Sequence, residues 1–152
     1  MNAGTIILAT RVGEESRRPA RIAARLAGDL GVRLTILYIA VELETVPVIA
    51  AGAGLDEEAL RSDMVQRADR LIRDFMKEVA PVEALDVVIA EGDPVEQIVT
   101  TAAELKARFL VVGGRERTSI ARIILGDTTR SILQRSPCPV IVVPMSTDFA
   151  EG

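Results

Sequence analysis

Apolar and polar residues alternate along this chain in blocks whose period switches between that of a strand and that of a helix. Residues 5–10 (TIILAT) form a continuous, β-branched apolar run, the pattern of a strand covered on both faces. A polar loop, RVGEES, follows. Ser16 then stands where a helix cap is expected, and Pro19 suits a first turn. Ala23, Leu26, Ala27 and Leu30 recur on one stripe, while Arg18, Arg21 and Arg25 share another, wet face. Gly31 supplies the stop. Residues 34–41 (LTILYIAV) predict a second buried strand. Residues 42–54, which contain VPVIAAGAG, read as a long apolar loop: either a lid or partner surface, or a flap packed on its own domain.

The second half repeats the alternation. Asp56 opens the clearest helix, in which Leu60, Met64, Ala68, Leu71, Phe75 and Val79 recur at steps of three and four. Asp63–Arg67, Asp69–Arg73 and Arg70–Asp74 are spaced to pair along its outer side. Pro81 ends it, and residues 84–90 give a third strand. Asp93-Pro94-Val95-Glu96 combines an Asp cap, Pro at the first helical position and Glu three residues on. Val95, Ile98, Val99 and Ala102 form that helix's apolar stripe. A fourth strand over 109–113 breaks at Gly113-Gly114, a helix lies about 127–136, and 140–143 are the fifth strand. The predicted organisation is one domain over residues 1–144, then a loose tail over 145–152. Strands alternating with helices predict the α/β class: a three-layer, open twisted parallel five-stranded sheet with helices on both faces. If strand order reverses between the first and fourth strands, the crevice above their C-terminal ends brings Thr10-Arg11 to Gly113-Gly114.

Composition narrows the chemistry. Apolar residues are 49% of the 152, with 3% aromatic and no Trp, so aliphatic side chains must build the core. No run approaches the ~18 apolar residues of a membrane span, and the opening residues lack a signal-peptide pattern, so a cytoplasmic protein without membrane partners is expected. The chain has no His, which excludes Ser-His-Asp chemistry and His-ligated metal within one subunit. Its one Cys, Cys138, lies between Pro137 and Pro139 and reads as a small core residue. A net charge of −4 argues against nucleic acid as a partner. There are 16 Arg and two Lys, and five of the arginines (115, 117, 122, 130 and 135) lie between Gly113 and Ser136. That segment holds two acids, Glu116 and Asp127, and is therefore net +3: a solvated face or an anion-binding patch.

A glycine turn between a buried strand and a helix commonly receives a phosphate, because free N–H groups and the helix dipole converge there. Here the turn carries two carboxylates. The opening IILAT, the segment EGDPVEQIV and the tail VVGGRERTSIARIILGDTTRSILQRSPCPVIVV together resemble the universal stress protein family over almost the whole chain. The resemblance implies a Rossmann-like, adenine nucleotide alpha hydrolase-like sheet of order 3-2-1-4-5. Members that bind ATP resemble one another in a loop Gly-x-x-Gly, nine residues, then Gly-Ser or Gly-Thr. This chain reads Gly113-x-x-Glu116, nine residues, Gly126-Asp127, and has Arg11 where the family has an Asp that contacts the nucleoside. By the same resemblance Thr10, Ile39, Val112, Arg115 and Thr128 line the place of the nucleotide.

The three changes disfavour ATP or AMP as a cofactor. Glu116 adds a side chain where backbone would approach phosphate, and a left-handed φ there would cost ~1–2 kcal/mol. Asp127, if it caps the helix, fills the N–H groups a phosphate would use. Arg11, Arg115, Arg117 and Arg122 either pair with these acids or reach a bound anion. Two carboxylates alone are a weak cation signal, and no metal site is expected. The expectation is a non-enzymatic, cytoplasmic stress-response dimer with weakened or lost ATP binding and an unidentified protein partner. An ATP- or AMP-binding member with slow ATPase activity, using Arg115 and the amides of Gly113 and Gly126, is one alternative. A sensor of a smaller anion or nucleotide is another. Resemblance also implies that Val140, Ile141, Val142 and Val143 pair antiparallel with a second copy.

Overall fold

A computed structural model describes residues 4–114, 116–117, 122–123 and 125–144, apart from the side chains of 116, 117, 122 and 123. The expected tail at 145–152 and Arg115 lie outside the described residues. In chain order the elements are β1 (Thr5–Ala9), a 3-10 turn (Glu14–Ser16), α1 (Arg17–Leu30), β2 (Arg33–Ile39), a second 3-10 turn (Val41–Thr45) and α2 (Val46–Ala53). Then come α3 (Glu57–Val79), β3 (Leu85–Ala90), α4 (Pro94–Glu104), β4 (Phe109–Gly114), the short β5 (Glu116–Arg117) and β6 (Arg122–Ile123), α5 (Asp127–Arg135) and β7 (Val140–Pro144). The main sheet runs β3-β2-β1-β4-β7, parallel throughout, with β7 as its fifth strand. This is the 3-2-1-4-5 order. β5 and β6 form a separate antiparallel pair, Glu116 opposite Ile123.

Alternation within the strands divides the core in two, because successive side chains of a strand leave opposite faces. Ile6, Leu8, Leu34, Ile36 and Val111 pack with Ala20, Ala23, Ala27, Ile72 and Met76 of α1 and α3. Ile7, Leu37, Leu110 and Val112 pack on the other face with Ile98, Ala102 and Ile132 of α4 and α5. Ile6 and Leu8 of β1 join one cluster and Ile7 the other, so the central strand is apolar on both faces. That is why its sequence shows no polar alternation.

The helix boundaries follow local chemistry. Gly31 ends α1 with φ 65°, a left-handed conformation in which other residues lose stability. Asp56 and Asp93 cap α3 and α4 by accepting hydrogen bonds from Ala59 N and Glu96 N, at 3.1 and 2.9 Å. An Asp93→Ala variant should lose about 1 kcal/mol of stability, the usual worth of such a cap. Urea unfolding checks this: a lower midpoint at unchanged slope is the expected result.

Three expectations are corrected. Residues 42–54 are not a loop but a 3-10 turn and the two-turn helix α2, with Pro47 in its first turn and Gly54 at φ 66° as its stop. Val46 and Ala50, one turn apart, are buried with Leu43, and Val46 and Leu43 pack beside Leu60 and Met64 of α3. Val48 and Ile49 remain exposed, at 76% and 47%. On α3 the buried positions are Ile72 and Met76, whereas Leu71 is 55% exposed. The apolar pattern fits either neighbouring stripe, and packing against the sheet chose one. Ser16 makes no side-chain cap to α1, because its hydroxyl is turned to the carbonyl of Arg11.

Candidate functional site

Every strand-to-helix turn of a parallel sheet lies at the C-terminal ends of the strands, and the chain leaves β1 and β4 toward opposite faces. A crevice opens between them. Here it is a cleft of about 410 Å³. Ala9, Val112 and Gly113 form its floor, with Ile39 at the end of β2 and Val41 just beyond it. Pro94 and Ile98 of α4 and Thr128, Thr129 and Ile132 of α5 form one wall. Thr10, Arg11, Glu15 and Ser16, from the turn after β1, and Pro19 of α1 form the other.

Six residues singled out from the sequence meet at this cleft: Thr10, Arg11, Ile39, Val112, Gly113 and Thr128. Gly126 and Asp127 flank it as the N-cap and first residue of α5. Arg115 lies outside the described residues, as do the side chains of Glu116, Arg117 and Arg122. Glu15, Ser16, Pro19, Val41, Pro94, Ile98, Thr129 and Ile132 were not foreseen. Their signal was present: Asp93-Pro94 and Ser16 mark helix starts, and in a parallel sheet those starts gather at one end.

Two arguments made from the loop sequence change. Asp127 does not cap α5. Gly126 does, in an extended conformation (φ −67°, ψ 165°) and without a side-chain bond to the first turn. The helix begins one residue earlier than a capping Asp127 requires, so the exposed carboxylate joins the first turn without bonding its amides. Glu116 lies in β5, where extended backbone is open to any residue, so the left-handed cost does not apply. What remains against a phosphate at this end is charge, not strain.

The turn after β1 is held by hydroxyls. The Thr10 hydroxyl lies 2.9 Å from the Arg11 carbonyl and 2.8 Å from the Ser16 hydroxyl, and Ser16 donates to the same carbonyl. The Thr10 amide donates to Leu37 O at 3.1 Å, which ties the turn to β2. Arg11 therefore rises from a fixed backbone. Its side chain is exposed and makes no hydrogen bond or ion pair among the described residues.

Near the same rim, the Tyr38 hydroxyl donates to Glu42 Oε1 at 2.8 Å. Burial, then the Glu42 hydrogen bond and charge, push the phenol up to about 12, partly opposed by the charge of Arg11. Tyr38 is the chain's one tyrosine, and there is no Trp, so its phenolate absorbance can be followed alone. The expected titration midpoint is about 12 in the folded protein and ~10 after unfolding. Because the folded pKa is the higher, this group's stabilising contribution is full below ~10 and is lost as pH rises toward 12. A midpoint at the unfolded value in folded protein would contradict the Tyr38–Glu42 geometry.

Residues 3–144 match the model of the universal stress protein family. A Thermus aquaticus relative described as a "Universal stress protein in QAH/OAS sulfhydrylase 3'region" is 30% identical over 139 residues, covering 91% of this chain and 97% of the relative. A solved universal stress protein in complex with cAMP shares 22% identity at a TM-score of 0.61, over 94% of this chain and 98% of that one. The universal stress protein from Archaeoglobus fulgidus in complex with dAMP shares 20% identity at a TM-score of 0.58, over 93% and 98%. These two likenesses establish a common fold.

Proposed function

We propose that this chain, which belongs to the universal stress protein family, is a non-enzymatic regulator that works as a cytoplasmic homodimer and binds an adenine mononucleotide in preference to ATP. One observation carries the reading: the cleft at the switch point is open, while a carboxylate stands in the helix turn at its phosphate end. Ile39, Val41 and Val112 offer a base an apolar seat. The hydroxyls of Thr128 and Thr129 and the first turn of α5, free of a side-chain cap, suit one phosphate. Asp127 in that turn opposes the longer, more negative chain of a triphosphate. The similar folds that carry cAMP and dAMP hold ligands with a single phosphate, so a site of this fold can take one.

The non-enzymatic part rests on the hydroxyls. Thr10 and Ser16 are engaged with the Arg11 carbonyl, and neither is paired with a base that would activate it. Among the described residues no helix is long and apolar enough to cross a membrane. Calorimetry tests the reading. AMP should give a saturable heat, Mg-ATP at millimolar concentration should give little, and phosphate release from ATP should stay at background. A dissociation constant for ATP in the low micromolar range would overturn it.

A further inference from the structure

We propose that Arg11 makes this cleft selective for a nucleotide bearing phosphates at two separate positions, in the class of nucleoside 3′,5′-bisphosphates, over one bearing its phosphates in a row. The inference rests on the nucleotide reading above and names the ligand of that site. Arg11 lines the cleft from a turn whose carbonyl is held by the hydroxyls of Thr10 and Ser16. Its guanidinium is free of hydrogen bonds and ion pairs among the described residues, although Glu15 lines the same wall. A guanidinium is permanently charged and presents a planar fork of donors that matches a phosphate. In dinucleotide-binding α/β folds a carboxylate beside the ribose bonds its 2′-hydroxyl, whereas a nearby arginine accommodates a 2′-phosphate. Arg11 would hold a ribose 3′-phosphate by the same chemistry.

The opposite end of the cleft completes the argument. Thr128 and Thr129 stand there on the first turn of α5, and Asp127 lies beside them. That end suits one phosphate and opposes a chain of them. Two separated phosphates satisfy both ends: one meets α5 and the other meets Arg11. Adenosine 3′,5′-bisphosphate and ADP carry the same number of phosphates in different places, so they compare placement at equal phosphate count.

Calorimetry on the full chain with AMP, ADP and adenosine 3′,5′-bisphosphate decides the matter. The bisphosphate should bind about tenfold tighter than ADP or more, the scale of a charge-assisted hydrogen bond. Arg11→Gln should abolish that preference, and Arg11→Lys should keep part of it, since a lysine retains charge without the fork. Glu15→Gln should strengthen the preference by removing a nearby negative charge, and circular dichroism confirms that each variant is folded. If AMP binds but the bisphosphate is no tighter than ADP, or Arg11→Gln leaves the preference intact, this inference fails and the mononucleotide reading stands. If none of the three nucleotides binds, both fail.

Discussion

Glu116→Gly combined with Asp127→Ser should raise ATP affinity by about tenfold or more. Both changes remove negative charge from the β4–α5 connection, where Gly126 caps the helix that borders the cleft. Two unit charges ~4 Å apart interact by ~1–4 kcal/mol between the dielectric of water and that of a protein surface. Each 1.4 kcal/mol is about a factor of ten in binding. The Ser at position 127 replaces an acid in a turn whose amides are already free of a side-chain cap, so the gain should come from charge rather than from uncovering donors. The two substitutions act on one site and should not be additive. Calorimetry with Mg-ATP on the single and double variants measures this. A folded double variant with unchanged affinity would place the block at Arg11 or in the shape of the cleft.

Ile141→Lys should convert the protein from a dimer to a monomer. The sheet order leaves β7 at one end, paired with β4 on its inner side. Among the described residues no strand pairs with its outer side, and Val140, Ile141 and Val142 carry no charge to discourage one. We propose that this edge meets its own copy across a two-fold axis, where each protomer supplies the same strand. The structure also chooses the test residue. Val143 is 2% exposed and belongs to the core beside α1 and α3, so a lysine there would disturb the fold itself. Ile141 is half-buried at the open edge, and Val140→Lys offers an independent second variant. Light scattering at tens of micromolar should give twice the chain mass for wild type and the chain mass for both variants. A monomeric wild type, or folded lysine variants that stay dimeric, would place the interface elsewhere.

The five main strands, four of the five described helices, the parallel α/β class and the crevice were legible in the linear pattern. An unbroken aliphatic run such as 5–10 has few uses other than a doubly covered strand, and Asp56 and Asp93 announce their helices by chemistry confined to four residues. Pairing Thr10-Arg11 with Gly113-Gly114 needed only the rule that strand order reverses at the first strand. Local chemistry of this kind is complete within the segment that carries it. What the segment does not contain was decided in three dimensions. α2 is too short and too evenly apolar for a helical period to stand out, and it exists because Leu43 and Val46 find a surface beside α3. Leu71 and Ile72 are equally apolar, and only the sheet's position buried the second. Ser16 was free to cap α1 until the fold set the Arg11 carbonyl within its reach. A sequence period says which residues share a face, whereas depth of burial and the partner of a hydroxyl depend on what the rest of the chain brings to that face.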